Sequence, residues 1–277
     1  MSGSEDRGDL QTVLAARIDP GARSRISAQE FDGIPCLEIS LPRPFRALFT
    51  TRIGGVSSGV FESLNLSPYS EDDPAAVERN RARIAGLIGR RLVSPAQAHG
   101  LRVVGAAEYV QEDHGSPCDG LTVHCEIDKE LAALLLFADC VPVVLCGEMD
   151  MAVVHAGWRG LLGGVIQQAG RSLMGMPGTA VIGPSIGPCC FAVDDEVASA
   201  FAGRFGPDVV AGAPDGARPR VDLWAAAAKA VEELNIHPSQ VVNPRICTSC
   251  NTDLFFSYRA EGPVTGRHGC LGWVSSG

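Results

Sequence analysis

Three short segments each place a histidine or a cysteine at the end of a predicted strand. They are Gln97-Ala98-His99-Gly100, Ala138-Asp139-Cys140-Val141-Pro142 and Val153-Val154-His155-Ala156-Gly157. Imidazole and thiolate suit zinc, and three protein ligands leave a fourth tetrahedral position for water or substrate, as in catalytic zinc sites. Gly100 and Gly157 follow the histidines and let backbone approach closely, as ligand sites often require. If the segments converge, His99, Cys140 and His155 form a metal site.

Each of these side chains also has an ordinary structural explanation. His99 could cap a turn, Cys140 could be one more buried small hydrophobic residue, and His155 could bond to the following loop. The irregular separations along the chain do not decide between the two interpretations.

Further polar residues could act on a substrate beside such a metal. Asp139 could orient a histidine or accept a proton, or it could be a structural carboxylate. Arg52, in a glycine-rich loop, offers a planar fork to phosphate or ribose oxygens, although it could also be a surface arginine. Ser63 and Asn65 could bond to sugar hydroxyls, but Ser-Leu-Asn-Leu is also an ordinary turn sequence. We therefore assign Cys140, Arg52 and Asp139 to catalysis, and Arg52, Ser63 and Asn65 to substrate binding.

The ten cysteines are too sparse for a disulfide scaffold, so free thiols or metal ligands are expected. Cys247 and Cys250 form a two-spaced pair that could join His268 and Cys270 in a second, structural zinc site, or could simply place two thiols on a turn. The adjacent pair Cys189-Cys190 follows a Gly-Pro turn and could direct one thiol into the cleft.

Longer stretches around these residues carry ordered motifs. They are Thr50-Thr51-Arg52-Ile53-Gly54-Gly55-Val56-Ser57, Ser63-Leu64-Asn65-Leu66, Ala138-Asp139-Cys140-Val141-Pro142, His155-Ala156-Gly157-Trp158-Arg159-Gly160, Ile182-Gly183-Pro184-Ser185-Ile186-Gly187-Pro188-Cys189-Cys190, Phe255-Phe256-Ser257-Tyr258-Arg259 and Thr265-Gly266-Arg267. On these motifs, which extend from about residue 45 to the C-terminus, the chain resembles the bacterial laccase-domain proteins of the YfiH type. That family is also described as polyphenol oxidases or peptidoglycan editing factors.

The resemblance implies that two histidines and a cysteine bind zinc, which assigns His99, Cys140 and His155 as ligands. Two positions differ from the family pattern, because Ala98 stands where valine is usual and only one basic residue, Arg259, follows the Phe-Phe-Ser-Tyr motif. The family has been linked to purine nucleoside phosphorolysis, methylthioadenosine phosphorolysis, adenosine deamination, copper-dependent phenol oxidation and peptidoglycan precursor editing.

Physical arguments rank these activities. A multicopper oxidase needs several coppers and more histidines than the six in this chain, which makes copper the weaker alternative to zinc. A zinc-activated water could deaminate adenosine, whereas phosphorolysis needs a phosphate held against the sugar. We predict a zinc-dependent purine nucleoside enzyme that performs phosphorolysis of adenosine, inosine and methylthioadenosine, with adenosine deamination as an additional activity. Copper-dependent phenol oxidation, and peptidoglycan precursor hydrolysis with Cys140 as nucleophile, are the alternatives.

Three other interpretations of the sequence compete with this one. His124-Cys125-Glu126 formally matches the H-x-E motif of zinc nucleobase deaminases, with Cys247 and Cys250 as its C-x-x-C, but no proline directly precedes Cys247 and the two halves lie far apart in the chain. Cys140 could be the nucleophile of a hydrolase that uses a histidine as base. A metal-buffering or partner-binding protein would turn over no nucleoside.

The elements that position these residues follow from apolar patterning. Residues 131–137, 141–145 and 151–155 are continuous apolar runs, typical of strands buried on both faces. Residues 34–51 predict two strands joined by a turn, and residues 180–186 and 255–258 predict further strands. Helical spacing predicts helices over residues 73–88, 161–174, 195–205 and 223–234. The predicted fold class is mixed α/β, a single domain with mixed β-sheets flanked by helices.

Composition and charge set the remaining limits. Residues 1–28 are polar with little periodicity, and we expect a flexible or weakly helical N-terminal extension before a catalytic domain over residues 29–277. A formal charge of -9 without a basic run argues against nucleic-acid binding. The polar, acidic N-terminus and the lack of a long apolar stretch argue against export and a membrane span. We therefore expect a cytoplasmic protein that binds a small nucleoside and phosphate without an obligate protein partner.

Overall fold

The computed structural model describes residues 7–112, 115–212 and 217–275. Its strands are β1 Ile26–Phe31, β2 Ile34–Ile39, β3 Phe45–Thr50, β4 Arg91–Val93, β5 Val103–Gly105, β6 Gly120–His124, β7 Leu131–Phe137, β8 Val141–Cys146, β9 Asp150–Ala156, β10 Thr179–Ile182, β11 Val210–Ala211, β12 Arg220–Val221, β13 Val241–Val242 and β14 His268–Val274. Its α-helices are α1 Arg7–Arg17, α2 Pro74–Ile88, α3 Ala106–Gln111, α4 Trp158–Gly163, α5 Val165–Ser172, α6 Asp195–Phe205, α7 Leu223–Glu232 and α8 Tyr258–Glu261.

Most of the strands belong to two six-stranded sheets, and β11 and β12 form a separate pair. The first sheet has the order β1-β2-β3-β14-β7-β4, and the second has the order β13-β10-β8-β9-β6-β5. In each sheet the outermost pairs include a parallel one, such as β4 with β7 and β5 with β6, while the central pairs are antiparallel. The predicted mixed α/β domain with mixed sheets flanked by helices is confirmed.

The two large sheets face each other across a shared apolar core. On β7, Leu135 and Phe137 belong to this core, while Leu134 points to the opposite face. On β9, Val153 belongs to the shared core and Val154 to the core under the helices. Because successive side chains of a strand point to opposite faces, both faces of these strands are buried. This explains their continuous apolar sequence.

Helices cover the outer face of each sheet. The Asp73 carboxylate caps α2 by accepting the Ala75 N–H at 3.0 Å, and the helix ends at Gly89, whose φ of 64° suits glycine. Its Ile84 is fully buried with Leu134 against the first sheet. Side chains of α4, α5, α6 and α7 pack on the second sheet. None of the described helices has the length and the apolar character needed to cross a membrane.

Several predicted elements are confirmed, and the exceptions have local causes. Strands occupy residues 131–137, 141–146 and 150–156, and two strands lie between residues 34 and 50. The helix predicted over residues 161–174 is instead two helices, because Gly164 between α4 and α5 has a φ of 92°. The strand predicted over residues 180–186 ends at Ile182.

The strand predicted over residues 255–258 is wrong. The Phe255 N–H bonds to the Asn251 carbonyl at 2.9 Å, and the Ser257 N–H bonds to Glu261 Oε2 at 2.9 Å. These turn and cap bonds satisfy the backbone locally, so the segment needs no partner strand and leads into α8.

Residues 7–28 contain α1 and the start of β1, so of the two expected forms of the N-terminal extension the flexible one is wrong for these residues. Leu14 and Ile18 are buried in the shared core with Leu37 of β2. Gln11 Nε2 also donates to the Ala28 carbonyl at 2.9 Å. Residues 1–6 of the predicted extension lie outside the described residues. The start of a catalytic domain at residue 29 stays a prediction.

The packing of α1 can be tested by replacing Leu14 with alanine. Because Leu14 is 0% exposed, Leu14→Ala should lower the free energy of unfolding by about 2–5 kcal/mol. Urea denaturation followed by circular dichroism measures this change. The exposed Arg17→Ala on the same helix is the control and should cost less than about 0.5 kcal/mol. Equal stabilities of the two variants would contradict the packed position of α1.

Candidate metal centre and its cavity

Cys140 and His155 lie side by side because they belong to neighbouring strands. Cys140 directly precedes β8, and Pro142 of β8 is paired with His155 of β9. His99 comes from the loop that follows β4. One donor atom from each residue lies within 4.8 Å of the others, and His99 Nε2 is 3.7 Å from Cys140 Sγ. The structure thus brings together the three residues that the sequence predicts as ligands.

This donor set has the size expected around one zinc-like ion. Metal–nitrogen bonds of about 2.05 Å and metal–sulfur bonds of about 2.3 Å in a tetrahedron separate nitrogen from sulfur by about 3.6 Å. The 3.7 Å between His99 and Cys140 is close to that value. All three residues line one cavity of about 900 Å³, so a fourth position would face this space. The ligand number and the open side are those of a catalytic metal centre rather than a closed structural one.

Asp119, which the sequence analysis did not single out, positions two of the three ligands. Its Oδ1 accepts hydrogen bonds from His155 Nδ1 at 2.8 Å and from the His99 N–H at 2.9 Å. Its Oδ2 accepts the N–H groups of Gly100 at 2.7 Å and Ala98 at 3.2 Å. Because Nδ1 of His155 donates to a carboxylate, Nε2 is left as the ligand nitrogen. One buried carboxylate therefore sets the tautomer of His155 and the shape of the His99 loop.

Gly157 lets the backbone pass close to two of the ligands. A methyl group on Gly157 would lie 2.7 Å from His99 Cδ2 and 3.4 Å from Cys140 Sγ. The same atom on Gly100 would meet Asp119 Oδ2 at 3.5 Å, an ordinary contact. Of the two glycines noted in the sequence, only Gly157 is required by close approach.

When no metal is bound, the surroundings favour a thiolate at Cys140 and a protonated ring at His155. Burial alone would raise the pKa of the Cys140 thiol, but the charge of His155 and hydrogen bonds from both histidines lower it to about 6. Burial likewise disfavours the charged ring of His155, yet the Cys140 thiolate and the Asp119 carboxylate raise its pKa to about 9. The thiolate is the form of cysteine that binds metals and attacks electrophiles.

Among the described hydrogen bonds, those of Asp139 connect it to two loops behind Cys140 and not to a histidine. Its Oδ1 accepts the hydroxyl groups of Thr248 at 2.6 Å and Ser257 at 2.8 Å, and its Oδ2 accepts the Arg259 N–H at 2.6 Å. The prediction that Asp139 orients a histidine is wrong, because Asp119 does so. A role for Asp139 as proton acceptor stays a prediction.

Arg52 is bonded to the protein itself. Its Nε donates to the Glu62 carbonyl at 2.7 Å, and its Nη1 donates to the Thr252 carbonyl at 2.8 Å and to Glu261 Oε1 at 2.6 Å. Its guanidinium also lies 4.3 Å from the centre of the Phe256 ring. Among the described residues, the cavity wall does not include Arg52. The geometry therefore gives Arg52 a structural role and does not support a phosphate contact.

Ser63 and Asn65 also have internal partners. Ser63 Oγ accepts the N–H groups of Gly54 at 3.0 Å and Gly55 at 3.1 Å. Asn65 is fully buried, and its Nδ2 donates to Ser70 Oγ at 2.8 Å. Neither residue belongs to the described wall of the cavity, so the geometry does not support the predicted sugar contacts.

Three other arginines line the cavity, and we call Arg159, Arg259 and Arg267 the cavity arginines. The guanidinium of Arg159 lies 4.1 Å from the ring of Trp158, which also lines the cavity. Arg259 and Arg267 donate to backbone carbonyls through Nη1 and so hold defined positions. All three stand inside motifs quoted from the sequence, which end in Trp158-Arg159-Gly160, Ser257-Tyr258-Arg259 and Thr265-Gly266-Arg267.

Cys247 and Cys250 lie next to a different pair of side chains from the one predicted. Their partners are Cys189 and Cys190, whose sulfurs lie within 4.8 Å of those of Cys247 and Cys250. The predicted combination with His268 and Cys270 is wrong, because these two are buried in β14. His268 packs there against Phe255, with ring centres 5.2 Å apart.

The deaminase-like pair of motifs is not assembled in the described part of the chain. His124 ends β6, where its Nδ1 accepts the Glu126 N–H at 3.2 Å. Cys247 and Cys250 instead belong to the cysteine group above. The H-x-E interpretation therefore has no geometric support.

Comparisons with known proteins agree on one family. Residues 46–275 match the family model described as "Multi-copper polyphenol oxidoreductase laccase". The chain is 35% identical over 244 residues to a purine nucleoside phosphorylase of Pseudomonas aeruginosa, covering 84% of this chain and 95% of that protein. It is 31% identical over 242 residues to purine nucleoside phosphorylase YfiH of Escherichia coli, covering 84% and 95%. The crystal structure of Neisseria meningitidis protein NMB0706 superposes with a TM-score of 0.77 at 32% identity, covering 91% of this chain and all 100% of that one.

Replacing Asp119 with asparagine should weaken the metal centre. Asp119→Asn keeps the size of the side chain but loses the charge that holds His155 Nδ1, so metal affinity should fall roughly 10- to 100-fold. Competition with a chromogenic chelator measures the affinity. The control is Asp128→Asn, because Asp128 is a buried carboxylate that also accepts two backbone N–H groups, from Ala107 and His124. If both variants bind metal like wild type, Asp119 does not position the ligands.

The thiol of Cys140 should ionise unusually easily in metal-free protein. With a pKa lowered to about 6, Cys140 is mostly thiolate above that pH, so its alkylation by iodoacetamide should reach half-maximal rate near pH 6. Cys118 is the internal reference, because burial raises the pKa of its thiol to about 12. Mass spectrometry of peptides after timed alkylation reports both residues. A midpoint for Cys140 above pH 8 would show that the histidines do not stabilise its thiolate.

Proposed function

Because the chain belongs to the multi-copper polyphenol oxidoreductase laccase family, which includes the YfiH proteins, we propose that it is a zinc-dependent purine nucleoside phosphorylase. The proposed substrates are adenosine, inosine and methylthioadenosine together with inorganic phosphate, in the cytoplasm. The observation that carries the proposal is the cavity, because the His99–Cys140–His155 group and the cavity arginines line the same space. Its volume of about 900 Å³ falls in the range of small-molecule sites.

The proposed metal is zinc, held by His99, Cys140 and His155. Two imidazoles and one thiolate suit zinc, whereas a multicopper oxidase needs several coppers in one protein. Within the described residues the only other possible metal-binding group is the all-cysteine one, which has no histidine. When bound, the metal supplies Lewis-acid polarisation of an oxygen atom on the substrate or on water.

The cavity offers a place for each part of the substrates. Phosphate is a dianion near neutral pH, and the cavity arginines present cationic, planar donors to its oxygens. Tyr69 and Tyr258 lie on the cavity wall, where they are 66% and 52% exposed. A purine stacked on such a ring would cover this apolar surface. The base and the phosphate can therefore occupy one cavity at the same time.

Phosphorolysis makes two demands on the residues of the chain. A phosphate oxygen forms a bond to the anomeric carbon while the bond from that carbon to the purine nitrogen breaks, and the departing purine takes a proton. The cavity arginines hold the nucleophile beside the sugar, which converts an encounter between two molecules into a reaction within one complex. Asp139 remains the candidate for moving a proton at its carboxylate, since it lines the cavity beside Cys140.

The products distinguish phosphorolysis from the alternative activities. These alternatives are adenosine deamination, phenol oxidation with copper, and peptidoglycan precursor hydrolysis through Cys140. Purified protein is incubated with adenosine and inosine, each with and without phosphate, and free base, ribose 1-phosphate and ammonia are followed. Phosphorolysis predicts base release only with phosphate, with one ribose 1-phosphate for each base. Ammonia from adenosine would establish the deaminase activity as well. If fully metal-loaded protein releases neither base nor ammonia, the proposed function is wrong, and the phenol and peptidoglycan substrates are tested next.

Arg159 provides a matched test of phosphate binding. Arg159→Gln removes one charge-assisted hydrogen bond, which is worth about 1.5–3 kcal/mol, so the KM for phosphate should rise about 10- to 100-fold. The KM for inosine should change much less. Arg171→Gln is the control, because Arg171 lies outside the cavity wall on α5 and bonds to Gln168. Equal phosphate KM values for the two variants would exclude Arg159 from the phosphate site.

A further inference from the structure

Four cysteines from two distant segments meet at one place that the proposed reaction does not use. Cys189 and Cys190 follow the turn at Gly187, and Cys247 and Cys250 flank a short helical turn. All four sulfurs lie within 4.8 Å of one another. From this arrangement we propose that the four residues, the cysteine cluster, bind a second zinc ion in a closed, structural site. The proposal is independent of the proposed nucleoside activity.

The distances between the sulfurs match a tetrahedral ion rather than disulfides. Zinc–sulfur bonds of about 2.3 Å place neighbouring sulfurs about 3.8 Å apart. Cys250 Sγ lies 3.5 Å from Cys189 Sγ and 3.3 Å from Cys190 Sγ. One sulfur is thus close to two others at once, as a metal centre requires, and both separations are well beyond the roughly 2.05 Å of a disulfide bond. All four thiols are free in the structure.

The chemistry of the donors selects the ion. Four thiolates in a tetrahedral arrangement bind zinc or iron–sulfur centres. An iron–sulfur cluster places sulfide between its irons and so spreads its cysteines apart, whereas sulfurs within 4.8 Å of one another surround a single ion. Four protein ligands leave no position for substrate, as in structural zinc sites. The two-spaced pair Cys247 and Cys250 also has a spacing common in such sites.

The backbone around the cysteine cluster already supports thiolates. The Gly187 N–H donates to Cys247 Sγ at 3.2 Å, which is the kind of bond that orients a metal-bound sulfur. A methyl group on Gly187 would lie 3.2 Å from Cys247 Cβ and 2.7 Å from Trp224, so glycine permits this approach. Four thiolates around Zn²⁺ carry two negative charges, and Arg259 Nη1 lies nearby, 3.1 Å from the Cys190 carbonyl.

The site joins a segment of the cavity wall, which contributes Ile186 and Phe191, to the segment that carries Cys247 and Cys250. Ser185 forms a parallel bridge with Cys247, in which its carbonyl accepts the Thr248 N–H at 3.1 Å and its N–H donates to the Ile246 carbonyl at 3.2 Å. The Thr248 hydroxyl then reaches Asp139 Oδ1 at 2.6 Å, next to Cys140. Phe191, directly after Cys190, lines the cavity. A metal here would therefore fix the wall of the cavity without taking part in the reaction.

Metal content in paired variants tests the proposal. Wild-type protein purified without chelators should lose one equivalent of zinc when Cys189→Ser and Cys250→Ser are combined, since both side chains are exposed. His99→Ala should instead lose the metal of the His99–Cys140–His155 site. Cys125→Ser is the matched control, because Cys125 is a free, partly exposed cysteine outside both groups, and it should lose none. Inductively coupled plasma mass spectrometry counts zinc, iron and copper in each sample.

Alkylation of the wild-type chain decides the question even if the double variant fails to fold. The four cysteines of the cluster should resist N-ethylmaleimide until a strong chelator is added, and all four should then react together. Ready alkylation without the chelator, reaction only after a reductant, iron in place of zinc, or an unchanged zinc content in the double variant would each overturn the proposal.

Discussion

The buried carboxylate of Asp119 is the interaction on which the candidate metal centre depends. It accepts three consecutive backbone N–H groups, from residues 98–100, and the ring N–H of His155. An unpaired carboxylate in this position would be costly, but four donors compensate for its removal from water. The same bonds join the loop after β4 to β9, so satisfying one charge also brings two metal ligands together.

A second carboxylate organises the opposite side of Cys140. Asp139 accepts hydrogen bonds from the hydroxyl groups of Thr248 and Ser257 and from the N–H of Arg259, and so connects segments that are far apart in the chain. Asp119 arranges the ligands, and Asp139 arranges the wall around them. The two sheets supply the rigid base, because β7, β8 and β9 are buried on both faces and cannot shift without disturbing a packed core. The loops that carry the polar residues of the site are thus anchored on buried strands.

The sequence predicted the parts of this molecule that local pattern controls. Continuous apolar runs identified the central strands, and a capping aspartate with a following proline identified α2. The positioning role of Asp119 was not predicted, because its partners come from distant segments and a single aspartate before a strand carries no periodic signal. The phosphate contact predicted for Arg52 is not supported, because the hydrogen-bond partners of a long side chain depend on the tertiary structure. Here the partners are Glu62, Thr252 and Glu261. The packing of the polar α1 into the core was not predicted, because a few buried side chains such as Leu14 are enough to dock a helix.

The three candidate ligands are held in place by two different kinds of support. Cys140 and His155 are fixed by adjacent strands whose register is set by a full hydrogen-bond ladder. His99 is solvent-exposed, on a loop, with a left-handed backbone φ of 57°. The place of His99 therefore depends on the three hydrogen bonds that its loop makes to Asp119, whereas the places of Cys140 and His155 depend on strand register.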